Sequence, residues 1–191
     1  MPSPESINQL PFPSLMDAEL SSPSSGIEHE VIALFEQFRD PLLRYSLSLG
    51  LSMHDAEEVI QEVFLALFRH LRLGRSRRNL RGWLFRVAHN LALKQRLANY
   101  SLLQRTTADP GMAEEHVDPC PSPEEQFSAA QRRSRLQAVV QVLPENDQHC
   151  LRLRAEGLRY REIALVLGMS LGAVSLSLTR SLTRLVRADR R

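Results

Sequence analysis

The chain is poor in cysteine and in long apolar runs, and each shortage excludes a class of protein. Cys120 and Cys150 are the only cysteines among 191 residues, too few for a disulfide framework and without metal-ligand spacing. No stretch approaches the roughly 18 uninterrupted apolar residues of a membrane helix, and no basic region with a following apolar run begins the chain. We expect a soluble, cytoplasmic protein that binds no metal, in which each thiol is buried or idle.

Catalytic motifs are also lacking. The six histidines form no metal-ligand motif, and the chain has neither a glycine-rich phosphate loop nor a serine at a strand-to-helix elbow. The sequence therefore predicts a protein that is not an enzyme and needs no cofactor.

Lysine is almost absent, and arginine carries the basic charge in two blocks. Lys94 is the only lysine among 24 basic residues. Residues 31–99 and 131–191 carry net charges of +5 and +7, whereas residues 1–30 and 100–130 each carry −5. The planar fork of arginine suits bidentate contacts to phosphate and guanine. The blocks indicate either two surfaces that face nucleic acid or a compositional preference for arginine.

Apolar periodicity predicts an all-α fold of two small helical domains joined by a flexible linker. Residues 1–26 are rich in proline and serine and are predicted to be a mobile tail, because they have little apolar surface to bury. Residues 100–126 are acidic and proline-rich, which is typical of a linker. The domains are therefore predicted at 27–99 and 127–191.

Local signals position the predicted helices. Pro41 predicts a kink or a break within a helix over 31–49. Ser52, with an acid three residues later, resembles a capping box and begins a helix that runs to about Leu71. Further helices are predicted from Trp83 onwards, over 127–142, and through 149–156.

The helix after Ser52 has an acidic face opposite an apolar one. At 100° per residue, the apolar positions lie between about 100° and 240° from Glu58: they are Ala56, Val59, Ile60, Val63, Phe64, Leu67 and Leu71. Glu58, Gln61, Glu62, Leu65 and Arg69 lie on the opposite side. An exposed leucine among carboxylates is unusual and would suit a surface that binds a partner protein, but charged faces are usually only solvated, and the pattern alone favours the solvated interpretation.

Four arginines lie in the ten residues 73–82, and a helix follows with Trp83, Leu84, Val87, Ala88 and Leu91 as its apolar stripe. Arg86, His89, Asn90, Lys94 and Arg96 lie on its other faces. This combination suits phosphate neutralisation. The indole of Trp83 is expected either to pack in the core, which its place in the stripe favours, or to stack on a base.

Residues 158–185 have the pattern of a helix-turn-helix. Ile163, Ala164 and Leu167 form one apolar stripe, Gly168 suits the turn, and Ser170 is placed to cap a second helix. That helix has an apolar side at Val174, Leu178, Leu182 and Leu185. Its other side carries Ser175, Ser177, Thr179, Arg180 and Arg184, types that reach base edges and phosphates, so the pattern favours DNA binding over a solvated helical hairpin.

Three blocks carry a family resemblance: DAEEVIQEVFLALFRHL, NLRGWLFRVAHNLALKQ and LPENDQHCLRLRAEGLRYREIALVLGMSLGAVSLSLTRSL. From Val31 to Arg187 the chain resembles bacterial sigma factors of the extracytoplasmic-function (ECF) group. The resemblance implies two domains, regions 2 and 4, that bind core RNA polymerase and promoter DNA. An anti-sigma factor is a candidate further partner whose existence the sequence does not reveal, and no membrane partner is expected. A stand-alone helix-turn-helix regulator is the alternative, but it leaves the acidic face and the Trp83 block without a role.

The resemblance also implies the residues of each contact. The polymerase surface would consist of Glu58, Gln61, Glu62 and Leu65. The surface for the melted −10 element would consist of Arg75, Arg77, Arg78, Asn79, Arg86, Asn90 and Lys94. The −35 duplex would be contacted by Ser170, Gly172, Ala173, Ser175, Leu176, Ser177, Thr179 and Arg180.

The second helix of the motif departs from the family pattern. Ser175, Ser177 and Leu182 stand at positions that are usually basic, which predicts a weaker dependence of −35 binding on salt. Arg159 stands where serine or threonine commonly caps the first helix of the motif, so a weaker helix start is expected there.

Overall fold

The computed structural model describes residues 23–105 and 123–190, which contain seven helices and no strands. The helices are α1 (Pro23–Ser48), α2 (Met53–Arg72), α3 (Leu80–Arg105), α4 (Pro123–Gln141), α5 (Glu145–Ala155), α6 (Tyr160–Leu167) and α7 (Leu171–Asp189). The predicted all-α class is confirmed. Cys120, most of the predicted tail and most of the predicted linker lie outside the described residues.

Helices α1, α2 and α3 pack on one another and form the first domain. Helix α1 begins at Pro23, within the predicted tail, because proline tolerates the first helical position, where its missing N–H has no partner to lose. Of the kink or break predicted at Pro41, the break does not occur, since α1 continues through the proline. Phe38 and Leu42 on either side are buried against the core, and this packing holds the helix together across the proline.

Helices α4 to α7 form the second domain, in which α7 packs on α4, α5 and α6. Its buried apolar residues are Leu143, Cys150, Leu153, Leu158, Ile163, Val166, Val174 and Leu178. The thiol of Cys150 is fully buried and burial raises its pKa, as expected for an unreactive cysteine. No single helix in the described ranges is long and apolar enough to cross a membrane; only α6 and α7 together, bent by 107°, reach that length and composition.

The two domains are in direct contact. Helix α3 packs against α6 and α1 against α5, so the buried apolar cluster runs from one domain into the other. At the boundary, Arg81 of α3 donates to the backbone carbonyl of Glu156, directly after α5. The neighbouring Gly157 has φ +80°, and a Cβ there would lie 2.9 Å from the guanidinium of Arg81. Glycine therefore permits both the turn and the close approach of the domains.

Candidate protein and nucleic-acid interfaces

The acidic face of α2 is exposed along its length. Ser52 caps the helix by accepting from the Asp55 backbone N–H at 3.1 Å, as predicted. All seven residues predicted to face the core are buried, so the opposite side is fixed toward solvent. Glu58, Gln61, Glu62 and Leu65 are exposed, Leu65 at 49%. The α2 acidic face, as we call these four residues, is therefore an accessible surface on a rigid helix.

The loop before α3 holds its polar residues in different ways. Arg75 and Arg78 are exposed. Arg77 instead donates from Nε to both carboxylate oxygens of Glu30 in α1, at 3.0 and 3.2 Å. The Asn79 side-chain oxygen accepts from the Gly82 backbone N–H at 3.2 Å, and its own φ is +56°. Asn79 thus caps the first turn of α3, a role that asparagine favours.

Helix α3 presents Arg86, Asn90 and Lys94 to solvent at intervals of four residues. Trp83 is partly buried against the core, with its ring 4.6 Å from that of His70, which supports the predicted packing role. The placement of His89 on the exposed basic surface is wrong. Only 6% of His89 is exposed, and its ring packs against His149 of the second domain. Period counting missed this because the covering partner comes from distant sequence.

Helices α6 and α7 form the predicted helix-turn-helix. Gly168 makes the turn with φ +65°, and Ser170 caps α7 by accepting from the Ala173 backbone N–H at 3.1 Å. The Arg159 side chain cannot accept a hydrogen bond, but the Glu162 carboxylate accepts from the Arg159 backbone N–H at 2.7 Å. The start of α6 therefore keeps one half of a capping box.

Most of the predicted −35 residues lie on the accessible side of α7. Ser170, Gly172, Ser175, Leu176, Thr179 and Arg180 are exposed, and Ala173 is half-buried. Ser177 is the exception and is corrected here: it is buried, and its hydroxyl donates to Asp147 of α5 at 2.7 Å. Its position toward α5 makes it part of the packing between the helices.

Asp147 is a residue that the sequence analysis missed. Its carboxylate is 6% exposed, accepts from Ser177, and lies 3.4 Å from Nη2 of Arg180. The guanidinium of Arg180, which is 56% exposed, is thereby held by a buried anion. An acid in the first turn of a helix is typical of a solvated residue, so the sequence carried no signal for this role.

A cleft of about 1120 Å³ lies between the two candidate DNA surfaces. On one side it is lined by Arg78 and Asn79, and on the other by residues of the helix-turn-helix, including Tyr160, Gly172 and Ser175. The loop of the first domain therefore faces the start of α7.

Ion pairs across the boundary support the contact between the domains. Arg44 of α1 meets Glu156 at 2.8 Å, and Arg96 of α3 meets Glu145 of α5 at 2.7 Å. Arg96 lowers the pKa of Glu145, and Glu156 raises the pKa of Arg44.

Within the described residues, no three His, Cys, Asp or Glu side chains are grouped as metal ligands.

Comparison with known proteins defines the class. Residues 34–101 match the family model for sigma-70 region 2, and residues 133–185 match the model for sigma-70 region 4. The first match covers the α2 acidic face and the exposed residues of α3, and the second covers the helix-turn-helix. The molecule is thus a sigma-70-type protein built from these two regions.

The relatives narrow the class. The chain is 30% identical over 144 residues to the ECF sigma factor SigL of Mycobacterium tuberculosis, covering 74% of this chain and 78% of SigL. It is 31% identical over 142 residues to the ECF sigma factor SigE of Mycolicibacterium smegmatis, again 74% of this chain but only 54% of SigE. The chain belongs to the ECF RNA polymerase sigma factor family.

Solved structures share the fold. CnrH, solved with the cytosolic domain of CnrY, superposes with a TM-score of 0.57 at 22% identity, covering 86% of this chain and 90% of that chain. RpoE of Bartonella quintana, solved with the anti-sigma factor NepR, gives 0.59 at 18% identity, with coverages of 82% and 96%. We refer below to α1–α3 as region 2 and to α4–α7 as region 4.

Proposed function

We propose that this chain directs core RNA polymerase to promoters: region 2 binds the polymerase and the melted −10 element, region 4 binds the −35 duplex, and the assembly initiates DNA-templated transcription. The chain acts by binding, without chemistry of its own and without a cofactor. Because the polymerase and the chromosome share the bacterial cytoplasm, the protein acts there. One observation carries the proposal: region 2 has an exposed carboxylate surface on α2 and an exposed basic surface on α3, and region 4 of the same chain has an exposed helix-turn-helix.

The α2 acidic face is the polymerase-binding surface. Its two glutamates and one glutamine lie one to two turns before Leu65 on the same face of α2, and this combination of carboxylates with one exposed apolar side chain fits a partner helix pair with basic side chains. Nothing in the fold of region 2 needs these side chains, since the opposite side of α2 supplies the core.

Single-stranded −10 bases bind to the exposed side of α3. Asn90 both donates and accepts from one side chain, which suits the edge of an extruded base, whereas Arg86 and Lys94 neutralise phosphates. Arg75 and Arg78 extend the cationic surface into the loop. Arg77 is paired with Glu30, so it joins this surface only if it exchanges that carboxylate for a phosphate.

The −35 duplex is contacted by α7 with few charges. Arg180 is held by Asp147, and the neighbouring exposed positions carry small hydroxyl groups and the apolar Leu176. Such side chains discriminate by hydrogen bonding and by contact with thymine methyl groups more than by charge.

The two regions must separate during this function. The −35 and −10 elements lie about 25 base pairs apart, or roughly 85 Å of B-DNA at 3.4 Å per base pair. Regions 2 and 4 touch in this structure, and the region 2 loop faces the start of α7. The described arrangement is therefore a closed state that precedes promoter binding.

An anti-sigma factor is the second partner that we propose. Both fold neighbours, CnrH and RpoE, were solved with a protein partner bound, and RpoE carries a protein named as an anti-sigma factor. Such a partner would act on the same equilibrium between closed and polymerase-bound forms.

Co-elution with core polymerase tests the proposal. We expect wild-type protein to co-elute and to support run-off transcription from its own promoters, and Glu58→Arg to weaken binding at least 10-fold, because a charge reversal opposes complementary charge. Glu36→Arg makes the same charge change at an exposed position of α1 and serves as the matched control. Failure of the wild type to co-elute, with tight duplex binding by the protein alone, would establish the stand-alone regulator instead.

A further inference from the structure

Two histidines meet where the regions touch. His89 of α3 and His149 of α5 have ring centroids 5.2 Å apart in an edge-on arrangement with an interplanar angle of 79°. They are 6% and 4% exposed. One imidazole belongs to each region, so their contact exists only while the regions are closed.

The surroundings of the two rings do not favour the doubly protonated, charged form of either imidazole. His89 Nδ1 lies 2.8 Å from the hydroxyl of Tyr45 in α1. His149 Nε2 is buried and has no hydrogen-bond partner in the described residues, and the nearest carboxylate oxygen, of Glu145, is 3.9 Å away. Within the described closed state, a charged imidazole at His149 would therefore have no hydrogen-bonded anion, because the carboxylate that approaches it is 3.9 Å away and already binds Arg96.

Some of the charges around the two histidines favour protonation of the rings, and others oppose it. Glu145, on the same helix as His149, favours protonation of both rings, but Arg96 of α3 already binds its carboxylate at 2.7 Å. Arg96 opposes protonation of both rings, and Arg152 of α5 opposes that of His149. Arg44 and Glu156 form a mutual pair at the edge of the boundary.

We propose that the His89–His149 pair makes the closure of region 4 onto region 2 sensitive to acid, so that protonation separates the regions and lets each one reach its own promoter element. The separation itself needs no polymerase or DNA; that the separated regions then bind two promoter elements rests on the function proposed above.

The environment of the two histidines determines the direction in which a fall in pH shifts the equilibrium between the closed and open states. Burial is the largest cause that lowers the pKa of His89, to about 4, with His149 and Arg96 adding to it against Glu145. Burial likewise lowers the pKa of His149 from the usual 6.5, more than Glu145 raises it. The closed state therefore binds fewer protons than the open state: the histidine contribution to closure is complete above pH 6.5 and is lost as pH falls toward the closed-state values. For a histidine that moves from 6.5 to about 4, the closed-to-open ratio falls about 10-fold between pH 7.5 and 5.5.

Histidine titration of the whole chain by NMR is the first test. We expect the imidazoles of His89 and His149 to titrate below the ordinary histidine pKa of 6.5, because both rings are buried in the closed state. Ordinary titration of both imidazoles, near 6.5, would overturn the proposal without the need for any variant.

Small-angle scattering of the same protein is the second test. Between pH 7.5 and 5.5 we expect the radius of gyration to rise while helical circular dichroism stays constant. His149→Gln, which cannot titrate, should reduce the rise, and His54→Gln should leave it unchanged. A radius that does not change with pH, or one that changes equally in His149→Gln, would overturn the proposal. Neither measurement involves polymerase, so a negative result here leaves the proposed initiation function intact.

Discussion

Two asparagines in region 2, Asn79 and Asn90, have different structural roles. Asn79 binds its own backbone and is committed to starting α3, whereas Asn90, eleven positions further on, is exposed. The resemblance assigned both to the −10 surface. Because a side chain that caps a helix has its acceptor occupied, we propose that Asn90 selects the base and that Asn79 serves to start α3.

Asn90→Ala is expected to change the preference among −10 sequences more than the overall affinity, with a loss of about 1–3 kcal/mol at the base that it contacts. Lys94→Ala is the comparison, since a lost phosphate contact weakens all sequences alike. Competition binding of polymerase holoenzyme to a set of −10 variants measures both. Equal weakening across sequences in Asn90→Ala would assign it a backbone contact.

Asp147→Ala should destabilise region 4 by about 1–3 kcal/mol, because the buried hydroxyl of Ser177 loses its acceptor. Asp147→Asn keeps an acceptor oxygen but removes the charge that holds Arg180, so we expect a smaller loss of stability together with altered −35 preference. Thermal unfolding and competition binding separate the two effects. Identical −35 preference in Asp147→Asn and wild type would show that Arg180 needs no such anchor.

At the scale of elements, α7 has two opposite sides that the sequence pattern did not fully separate. Ser175 and Ser177 both stand at usually basic positions, yet Ser175 is exposed and Ser177 is buried against α5. At Ser175, region 4 therefore lacks a cation on its accessible side. Ser177 instead contributes to the packing of α7 on α5.

Ser175→Arg is expected to add one phosphate contact and to steepen the slope of log affinity against log salt by about 0.9. Ser177→Arg is the matched comparison: a buried arginine beside Asp147 must disturb the packing of α5 on α7, and we expect lower thermal stability. A salt titration of −35 duplex binding and a melting curve test the pair. Two variants that both bind more tightly without loss of stability would contradict the burial of Ser177.

At the scale of the whole molecule, closure brings together two regions that are separate units in the chain. The boundary combines a continuous apolar cluster, the ion pairs of Arg44 and Arg96, and the contact of Arg81 with the backbone beyond α5. Partly exposed ion pairs contribute little and weaken with salt, so the apolar contact dominates the free energy of closure.

Gly157→Ala is expected to weaken closure, because a Cβ there is disfavoured at φ +80° and lies 2.9 Å from the Arg81 guanidinium. Gly74→Ala is the control, since Gly74 has φ +65° and nothing within 4 Å of a Cβ. Both substitutions should cost about 1 kcal/mol of fold stability, but only Gly157→Ala should increase the radius of gyration at pH 7.5. Equal radii would show that Arg81 can move aside freely.

Much of the local structure followed from the sequence. The all-α class, the Ser52 and Ser170 caps, the turn at Gly168 and the exposed α2 acidic face were predicted and are confirmed in the structure. These features depend on backbone geometry and on side chains a few residues apart, and the helical period expresses such relations directly. The break, one of the two outcomes predicted at Pro41, does not occur because packing on both sides of the proline outweighs its local cost.

The sequence by itself determined which segments are helices, which side of α2 and α7 is apolar, and, through its resemblance, the two-region sigma architecture. Only the tertiary structure decided that Ser177 and His89 are buried, that Asp147 holds Arg180, and that region 4 closes onto region 2. The physical reason is distance along the chain. Each of these features depends on a helix from a remote segment of the chain. The helical period of 3.6 residues shows which side of a helix is apolar but not which remote helix packs against that side.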